Sequence, residues 1–332
     1  MMAQFVAGDP AEEQAGTVRP MNWGLTTEDD TFHRVDPNEA LWTETVWMSW
    51  MVPERKLFGN FYPVFRPNVG VQFGGISIYD HTADVPWECP IYDMQWHLPI
   101  EKGLDLRDAQ LPNGMYLRAI EPNRVFEFGF RSDELELDLR YEALMQPLMS
   151  GGESDLFSRG GHLDQPGHVT GRMKLLGEEV AVDCMAQRDR AWGPRRDNRQ
   201  PRVAYVYGAT SSTNAFLAVS AQKKGGPDNI FTGYYMHEGT WAKMVSGRRE
   251  VDRDALGRVA RVRIDGTDEL GRSLQVEGET VSRLFITAYP SMVVINSLTR
   301  FVLNGEDCWG EDQDTWSPRR WRDFKATLRP GA

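Results

Sequence analysis

Alternation of apolar and polar side chains is the feature that most limits how this chain can fold. Between residues 134 and 143, apolar side chains occupy every second position from Leu135 to Ala143, with acidic or basic side chains between them. A period of two predicts a half-buried strand, because a helix would spread the same leucines around its circumference. Alternation recurs in other segments, which include 126–130, 180–184, 260–264 and 274–276. The chain is therefore predicted to be mostly β.

Turn-forming residues separate these segments. Clusters of Gly, Pro, Asn and Asp, such as those at 112–114 and 225–228, lie between stretches with strand-like alternation. Helical signals are scarce. This arrangement favours antiparallel strands that follow one another in meanders.

The length of 332 residues predicts two domains. The alternation breaks at 149–154, where small, flexible or polar residues intervene. We therefore expect a flexible tail at 1–20, an N-terminal β domain at 21–150 and a C-terminal β domain at 155–332 that carries the site. Both domains are predicted to be antiparallel barrels or sandwiches packed together.

Composition and charge restrict the partners of the protein. The net charge of −11 and the isoelectric point near 5.1 argue against a nucleic-acid or anionic membrane surface. Cys89, Cys184 and Cys308 are too far apart for a recognisable metal motif, and their odd number fits a reducing compartment. No stretch has the length and apolar character of a membrane helix or a secretory signal. The sequence thus predicts a soluble, cytoplasmic protein without an integral membrane segment.

The densest group of reactive side chains is the segment 188–195, which reads RDRAWGPR. If the preceding strand continues into it, Arg188 and Arg190 point to one face and Asp189 to the other. On an apolar face Asp189 would have a raised pKa and could deliver a proton near neutral pH. Alternatively, Asp189 pairs with an arginine in a structural corner. Trp192 either lines a ligand cavity or packs in the core beside a tight turn.

Two histidines precede this segment. His162 and His168 lie in a stretch rich in Gly and Pro that we interpret as a loop, and either side chain could accept or deliver a proton near neutral pH. They could equally be polar loop residues that bind backbone groups. A third ligand is missing, so no metal site is predicted.

Other candidate residues are aromatic or charged. Those expected to contact a substrate are Trp192, Arg190, Trp42, Glu44, Trp309 and Glu311. The chain contains no GxSxG, P-loop, HExxH or Rossmann glycine pattern. The chain therefore lacks the defining sequence element of serine hydrolases, kinases, zinc peptidases and dinucleotide-dependent dehydrogenases. No cofactor is expected.

Two of these segments together resemble a bacterial family of largely uncharacterised proteins. The first reads HxDQPGxxxG at 162–171 and is followed by Gly177, and the second is the segment 188–195. That family is related to the carotenoid 1,2-hydratases and the fungal kievitone hydratases, within the lipocalin-like, calycin-type superfamily. Its usual second element reads RDHSWGPR, so Arg190 stands in place of a His and Ala191 in place of a small polar residue.

The resemblance implies two lipocalin-like β domains packed together and an apolar ligand. Its characterised relatives add water to isoprenoid-type double bonds, and the Asp of the second element is thought to protonate the alkene. Asp189 matches that Asp. Because the His that follows it is absent here, His162 or His168 would have to assist.

We therefore expect a cofactor-independent hydratase or lyase that uses acid catalysis on a double bond of an isoprenoid-like or steroid-like substrate. A dry pocket lined by rings would stabilise the carbocation that protonation creates. The same site could instead support an isomerase or a cyclase, or the protein could be a non-catalytic carrier of a hydrophobic ligand. The expected partner is an apolar small molecule, and the oligomeric state is not predicted.

Overall fold

The computed structural model of the chain describes residues 26–33, 37–151, 160–195, 202–222, 226–286 and 292–328. The tail expected at 1–20 lies outside the described residues. The described strands form two sheets, and the predicted fold class is confirmed: the protein is mostly β, with a curled open sheet and a closed barrel.

The first sheet contains eleven strands. They are β1 (Trp42–Val52), β2 (Leu57–Arg66), β3 (Val71–Tyr79), β4 (Ile91–Pro99), β5 (Asp108–Gln110), β6 (Met115–Glu121), β7 (Val125–Arg131), β8 (Leu135–Ala143), β9 (Leu148–Gly151), β10 (Gly161–Leu175) and β11 (Glu178–Pro194). The strands follow the order β4-β3-β2-β1-β11-β10-β8-β7-β6-β5, and β9 pairs with β10 beside this path. In β8 the predicted alternation is confirmed, because Leu135, Leu137 and Leu139 are buried while the side chains between them are more exposed.

The second sheet closes on itself as a barrel of consecutive antiparallel strands. They are β12 (Arg202–Ser211), β13 (Asn214–Gln222), β14 (Asp228–His237), β15 (Thr240–Arg253), β16 (Val259–Asp268), β17 (Ser273–Ile286), β18 (Val293–Leu303) and β19 (Glu306–Trp316). The barrel closes where β12 pairs with β19. Closure removes the unpaired strand edges that would otherwise invite association with other chains.

Helices are few in the described residues. Four short 3-10 helices are found at Thr27–Asp30, Pro53–Arg55, Pro67–Val69 and Pro86–Glu88, and one α-helix, α1, spans Pro318–Thr327. In α1, Phe324 stacks on Trp316 of β19. Within this part of the chain, none of the helices has the length and apolar character needed to span a membrane.

The change from sheet to barrel falls between Pro194 and Arg202. The segment at 149–154, where the sequence predicts a domain boundary, is followed by β10 and β11, which pair with β8 and β1 of the first sheet. Asp189 therefore belongs to the first sheet, not to the C-terminal barrel. Small polar residues are common in any connection between strands, so they do not distinguish a domain linker from a loop within one sheet.

The prediction of a loop at 162–168 is wrong, because these residues belong to β10. Pro166 misleads the sequence argument, since proline is rare in central strands. It lies where β10 changes partner, after Asp164 pairs with β9 and before Gly167 pairs with β8. Proline is tolerated at such an interruption of the hydrogen-bond ladder.

The two sheets share a core. One cluster of buried residues combines Met48 and Phe61 of the first sheet with Leu284, Ile286 and Leu298 of the barrel. The barrel side chains in this cluster lie on its outer surface, whereas a second cluster that includes Phe216 and Ile264 fills its interior. The first sheet thus packs against the outside of the barrel.

A network of buried charges occupies one end of the barrel interior. Arg249 Nη2 donates to Asp312 Oδ2 at 2.7 Å and Arg249 Nη1 to Asp228 Oδ2 at 3.2 Å. Arg202 Nε donates to Asp314 Oδ1 at 2.9 Å. Arg253 also pairs with Asp314, at 2.7 Å. Buried charges are tolerated only when paired in this way.

Replacement of Arg249 tests this network. We expect Arg249→Met to destabilise the protein by about 3–5 kcal/mol, because it leaves buried carboxylates without their cation. The control is Arg263→Met, which removes a solvent-exposed pair with Glu277 and should cost about 0–1 kcal/mol. Urea denaturation measures both. Equal effects of the two substitutions would contradict a structural role for the network.

Candidate active site

Three neighbouring strands bring the polar residues of the site together. In the antiparallel ladder, Asp189 of β11 lies directly opposite Asp164 of β10 and opposite Trp47 of β1. Directly opposed residues project from the same face of a sheet. His162 lies two residues before Asp164 and therefore shares this face.

The predicted alternation along β11 places the arginines on the other face. Arg190 Nη2 donates to Glu44 Oε2 at 2.9 Å, and Arg188 forms an ion pair with Asp30. The Arg188 guanidinium also lies 4.2 Å from the Phe126 ring centre. Arg188 and Arg190 thus have their own carboxylate partners and do not pair with Asp189.

His162, Asp164 and Asp189 form a compact group, which we call the acid cluster. The Nε2 atom of His162 lies 3.1 Å from Asp164 Oδ2, and one ligand atom from each residue lies within 4.8 Å of the other two. His162 is 5% and Asp164 1% exposed, whereas Asp189 keeps intermediate exposure. Asp189 is therefore the most exposed residue of a largely buried cluster.

A chain of hydrogen bonds orients the buried members. Gln187 Nε2 donates to Asp164 Oδ1 at 3.2 Å, and the Tyr234 hydroxyl donates to Gln187 Oε1 at 3.2 Å. Tyr234 belongs to β14 of the barrel, so the acid cluster faces the interface between sheet and barrel.

The environment shifts the pKa of the cluster residues. Burial raises the pKa of Asp189 to about 6; the His162 charge opposes this shift and the Asp164 charge reinforces it. Burial by itself would lower the pKa of His162, but the Asp164 carboxylate outweighs it and the net shift is upward. Asp189 thus changes protonation near neutral pH beside an imidazole that favours its charged form.

The barrel contributes two further titratable groups. The Tyr205 ring of β12 lies 5.8 Å from the His162 ring, and burial raises the Tyr205 pKa well above 10, so its phenol stays protonated. Glu311 of β19 is 2% exposed. Burial raises the pKa of Glu311 to about 8, a shift that the Gln313 side chain opposes and the Asp189 charge reinforces.

Among the residues that the structure describes, the acid cluster is also a group of side chains that could hold a metal ion. One imidazole nitrogen and two carboxylates are possible ligands for a divalent cation. The sequence argument against a metal overlooked Asp164, which supplies the third donor. The same atoms form the His162–Asp164 contact, with Asp189 beside it.

The structure does not bring His168 into the cluster. Its Nε2 atom contacts Asp183 Oδ1 at 2.6 Å, where both side chains are exposed, with Asp183 at 79%. Of the two histidines considered from the sequence, His162 is the one beside Asp189.

Four of the predicted binding residues lie away from the acid cluster. Arg190 and Trp192 lie on the face of β11 opposite Asp189, and Glu44 and Trp42 lie around the Arg190 side chain. Trp192 stacks on His33 with ring centres 3.9 Å apart. Trp42 Nε1 donates to Glu44 Oε1 at 3.2 Å, and Glu44 also binds Arg190. These residues hold the segment 26–33 against the first sheet and lie apart from Asp189.

The remaining two predicted residues lie on β19. Trp309 is partly buried and packs against the core that joins sheet and barrel, and Glu311 lies close enough to Asp189 for their charges to interact. Sequence reasoning missed Tyr205, Gln187 and Trp47 as neighbours of the acid. Asp164 could have been found from the sequence, because it lies two residues after His162 and therefore projects from the same face of a strand.

The protein is thus a mostly β protein in which a curled antiparallel sheet packs on a closed barrel, and the acid cluster lies between them. The chain belongs to a family described as Domain of unknown function (DUF7064), which matches residues 26–319. No curated protein matches it in sequence.

Solved structures share this fold. The protein NE1406 from Nitrosomonas europaea has a TM-score of 0.57 at 16% identity, covering 94% of this chain and 98% of that chain. Kievitone hydratase from Nectria haematococca has a TM-score of 0.53 at 12% identity, covering 85% and 89%. CghA, solved with Sch210972, has a TM-score of 0.55 at 10% identity, covering 86% and 93%. The expected relationship to kievitone hydratase is confirmed as a similarity of fold.

Replacement of Asp164 tests the electrostatics of the cluster. In Asp164→Asn we expect the pKa of His162 to fall, because the carboxylate that stabilises its imidazolium is lost. An NMR titration of the imidazole resonances measures this shift. His168, which pairs with Asp183, serves as the internal control and should not move. An unchanged His162 would contradict the contact with Asp164.

Proposed function

We propose that this protein is a cofactor-independent hydratase or lyase in which Asp189 transfers a proton to a double bond of an apolar, isoprenoid-like or steroid-like substrate. The observation that carries the proposal is the state of Asp189. It is partly exposed, neither Arg188 nor Arg190 pairs with it, and its partial burial raises its pKa to about 6. Such a carboxyl holds a proton often enough near neutral pH to act as an acid.

The proton balance of hydration needs one group that first donates and then accepts. Asp189 protonates one alkene carbon, and the adjacent carbon becomes a carbocation. Water adds its oxygen to that carbon and loses a proton, which returns to the Asp189 carboxylate. His162 favours the charged carboxylate that exists between these steps, because its imidazolium lowers the pKa of Asp189. This role replaces that of an assisting base, since Asp164 already stabilises protonated His162.

Aromatic residues near the acid suit a cationic intermediate. Trp47 lies opposite Asp189 on the neighbouring strand, and Tyr205 approaches the cluster from the barrel. Ring faces attract cations, most strongly where water is excluded. The protonated Tyr205 phenol is suited to orient the attacking water. Both rings lie at the interface of sheet and barrel, where we place the substrate.

Replacement of the acid is the direct test. We expect Asp189→Asn to lower kcat by roughly 100-fold or more, because the amide cannot donate the proton. Stability should be retained, since Asn preserves the shape of the side chain. The matched control is Asp183→Asn, an exposed carboxyl on the same strand, which should leave turnover unchanged. Mass spectrometry of products from geraniol, farnesol, squalene and cholesterol measures turnover. Full activity in Asp189→Asn would remove the proposed acid.

Heavy-oxygen water separates hydration from related reactions at the same site. We expect the product to carry one heavy oxygen, because the hydroxyl group comes from solvent. A new product without label would instead indicate an isomerase or a cyclase, and a ligand recovered unchanged would indicate a carrier. Turnover should survive dialysis against EDTA. Activity that is lost with EDTA and restored by a divalent cation would assign the acid cluster to a metal.

A further inference from the structure

The acid cluster has the donor atoms of a metal site. It combines an imidazole nitrogen of His162 with carboxylate oxygens of Asp164 and Asp189, and one ligand atom from each residue lies within 4.8 Å of the other two. Zn²⁺ and similar transition-metal ions bind nitrogen and oxygen ligands of these kinds, often through three protein side chains. Ca²⁺ takes roughly six to eight oxygen ligands, so this cluster suits a transition-metal ion better. The two carboxylates also supply the negative charges that balance a dication away from water.

The two buried members are spaced like neighbouring ligands of one ion. His162 Nε2 and Asp164 Oδ2 are 3.1 Å apart, yet the contact is not aligned as a hydrogen bond, and Asp164 Oδ2 is buried and accepts none within the described residues. Two ligand atoms that bind one ion at about 2.0–2.2 Å lie roughly 3.0–3.5 Å apart. Buried carboxylate oxygens that accept no hydrogen bond are rare in folded proteins. A cation bound by both atoms would compensate this oxygen.

The surrounding hydrogen bonds hold the cluster in place. Gln187 Nε2 donates to Asp164 Oδ1 at 3.2 Å, so that Oδ2 is the oxygen directed at His162, and the Tyr234 hydroxyl in turn donates to Gln187. Side chains that orient ligands through such bonds are typical of metal sites. The three ligands lie on the paired strands β10 and β11. Asp189 is the most exposed of them, so its side chain is the one with room to rotate towards the other two.

We propose that the acid cluster binds one divalent transition-metal ion, for which Zn²⁺ is the probe, through His162 Nε2, Asp164 Oδ2 and a carboxylate oxygen of Asp189. Metal ligands bind without their protons, so an Asp189 oxygen that binds the ion cannot carry a proton to a substrate. The ion is therefore an inhibitor, and the protein is active in its metal-free form. The inhibition rests on the proposed function, whereas the binding of the ion does not.

Metal titration tests the site without a substrate. We expect the metal-free protein to compete with a chromogenic chelator for one Zn²⁺ per chain, and Mg²⁺ not to displace it. Asp164→Asn and Asp189→Asn should each weaken binding by at least about 100-fold, since loss of a supporting hydrogen bond alone costs roughly 10–100-fold. The matched controls, His168→Asn and Asp183→Asn, remove an exposed His–Asp pair on the same two strands and should leave the affinity unchanged. Absence of wild-type binding, or full affinity in Asp164→Asn, would overturn the inference.

Cobalt substitution identifies the ligands. Co²⁺ at the cluster should give visible d–d bands without a thiolate charge-transfer band, because the cluster includes none of the three cysteines. Gln187→Met, which removes the hydrogen bond to Asp164, should weaken binding by roughly 10–100-fold and keep these bands at saturation. Near-ultraviolet circular dichroism verifies folding, and if Asp164→Asn does not fold, Asp189→Asn and Gln187→Met carry the test. A thiolate band, or unchanged bands in Asp189→Asn at the same Co²⁺ concentration, would place the ion elsewhere and reject the site.

Activity separates this inference from the proposed function. Turnover of geraniol, farnesol, squalene or cholesterol should fall as Zn²⁺ occupies the cluster and recover when EDTA is added, and Asp183→Asn should respond in the same way. Zn²⁺ that binds at the cluster without changing turnover would confirm the site and reject Asp189 as the acid. Absence of binding, together with turnover that depends on Asp189, would reject the site and keep the proposed function. Turnover that rises with Zn²⁺ would reject the inhibitory role. If no substrate is turned over, the chelator and cobalt results still decide whether the ion binds.

Discussion

The pleat of strand β11 separates Asp189 from the two arginines beside it, and the chemistry of the site depends on this separation. Arg188 and Arg190 are each 1% exposed, and a buried guanidinium without a partner would cost several kcal/mol. Asp30 and Glu44 neutralise them on their own face. Asp189 therefore pairs with neither of them, and its pKa is set first by burial and then by the charges of His162, Asp164 and, more weakly, Arg195 and Arg188.

In the barrel, too, strand alternation separates neighbouring charged side chains onto opposite faces. Alternation along β19 sends Asp312 and Asp314 towards arginines inside the barrel and leaves Glu311 outside, without one. Apolar side chains and ion pairs fill the described interior, whereas the polar groups that approach the acid cluster, including Tyr205 and Tyr234, come from the outer surface. The titratable groups of the sheet and of the barrel's outer surface consequently meet where the two pack together.

The sequence predicted what depends on local periodicity. The mostly β fold, the strand in β8 and the opposite faces of Asp189 and its flanking arginines all follow from a period of two. The partners of the arginines could not be predicted from this periodicity, since Asp30 is 158 residues from Arg188 in the chain. The change of sheet after Pro194 escaped prediction for a similar reason: pairing of β11 with β1 is a long-range contact that leaves no local pattern.

Residue 190 shows how the ladder alters the interpretation of a motif. In the sequence, Arg190 replaces a His of the resembled family directly after the acid, which implies the loss of a proton relay. On a strand, however, adjacent residues project to opposite faces, and Arg190 binds Glu44 away from Asp189. The imidazole beside the acid is His162, which the β10–β11 pairing brings next to it. Exchange of His for Arg at position 190 therefore changes the charge that secures Glu44 and the segment 26–33, while the neighbours of the proposed acid stay in place.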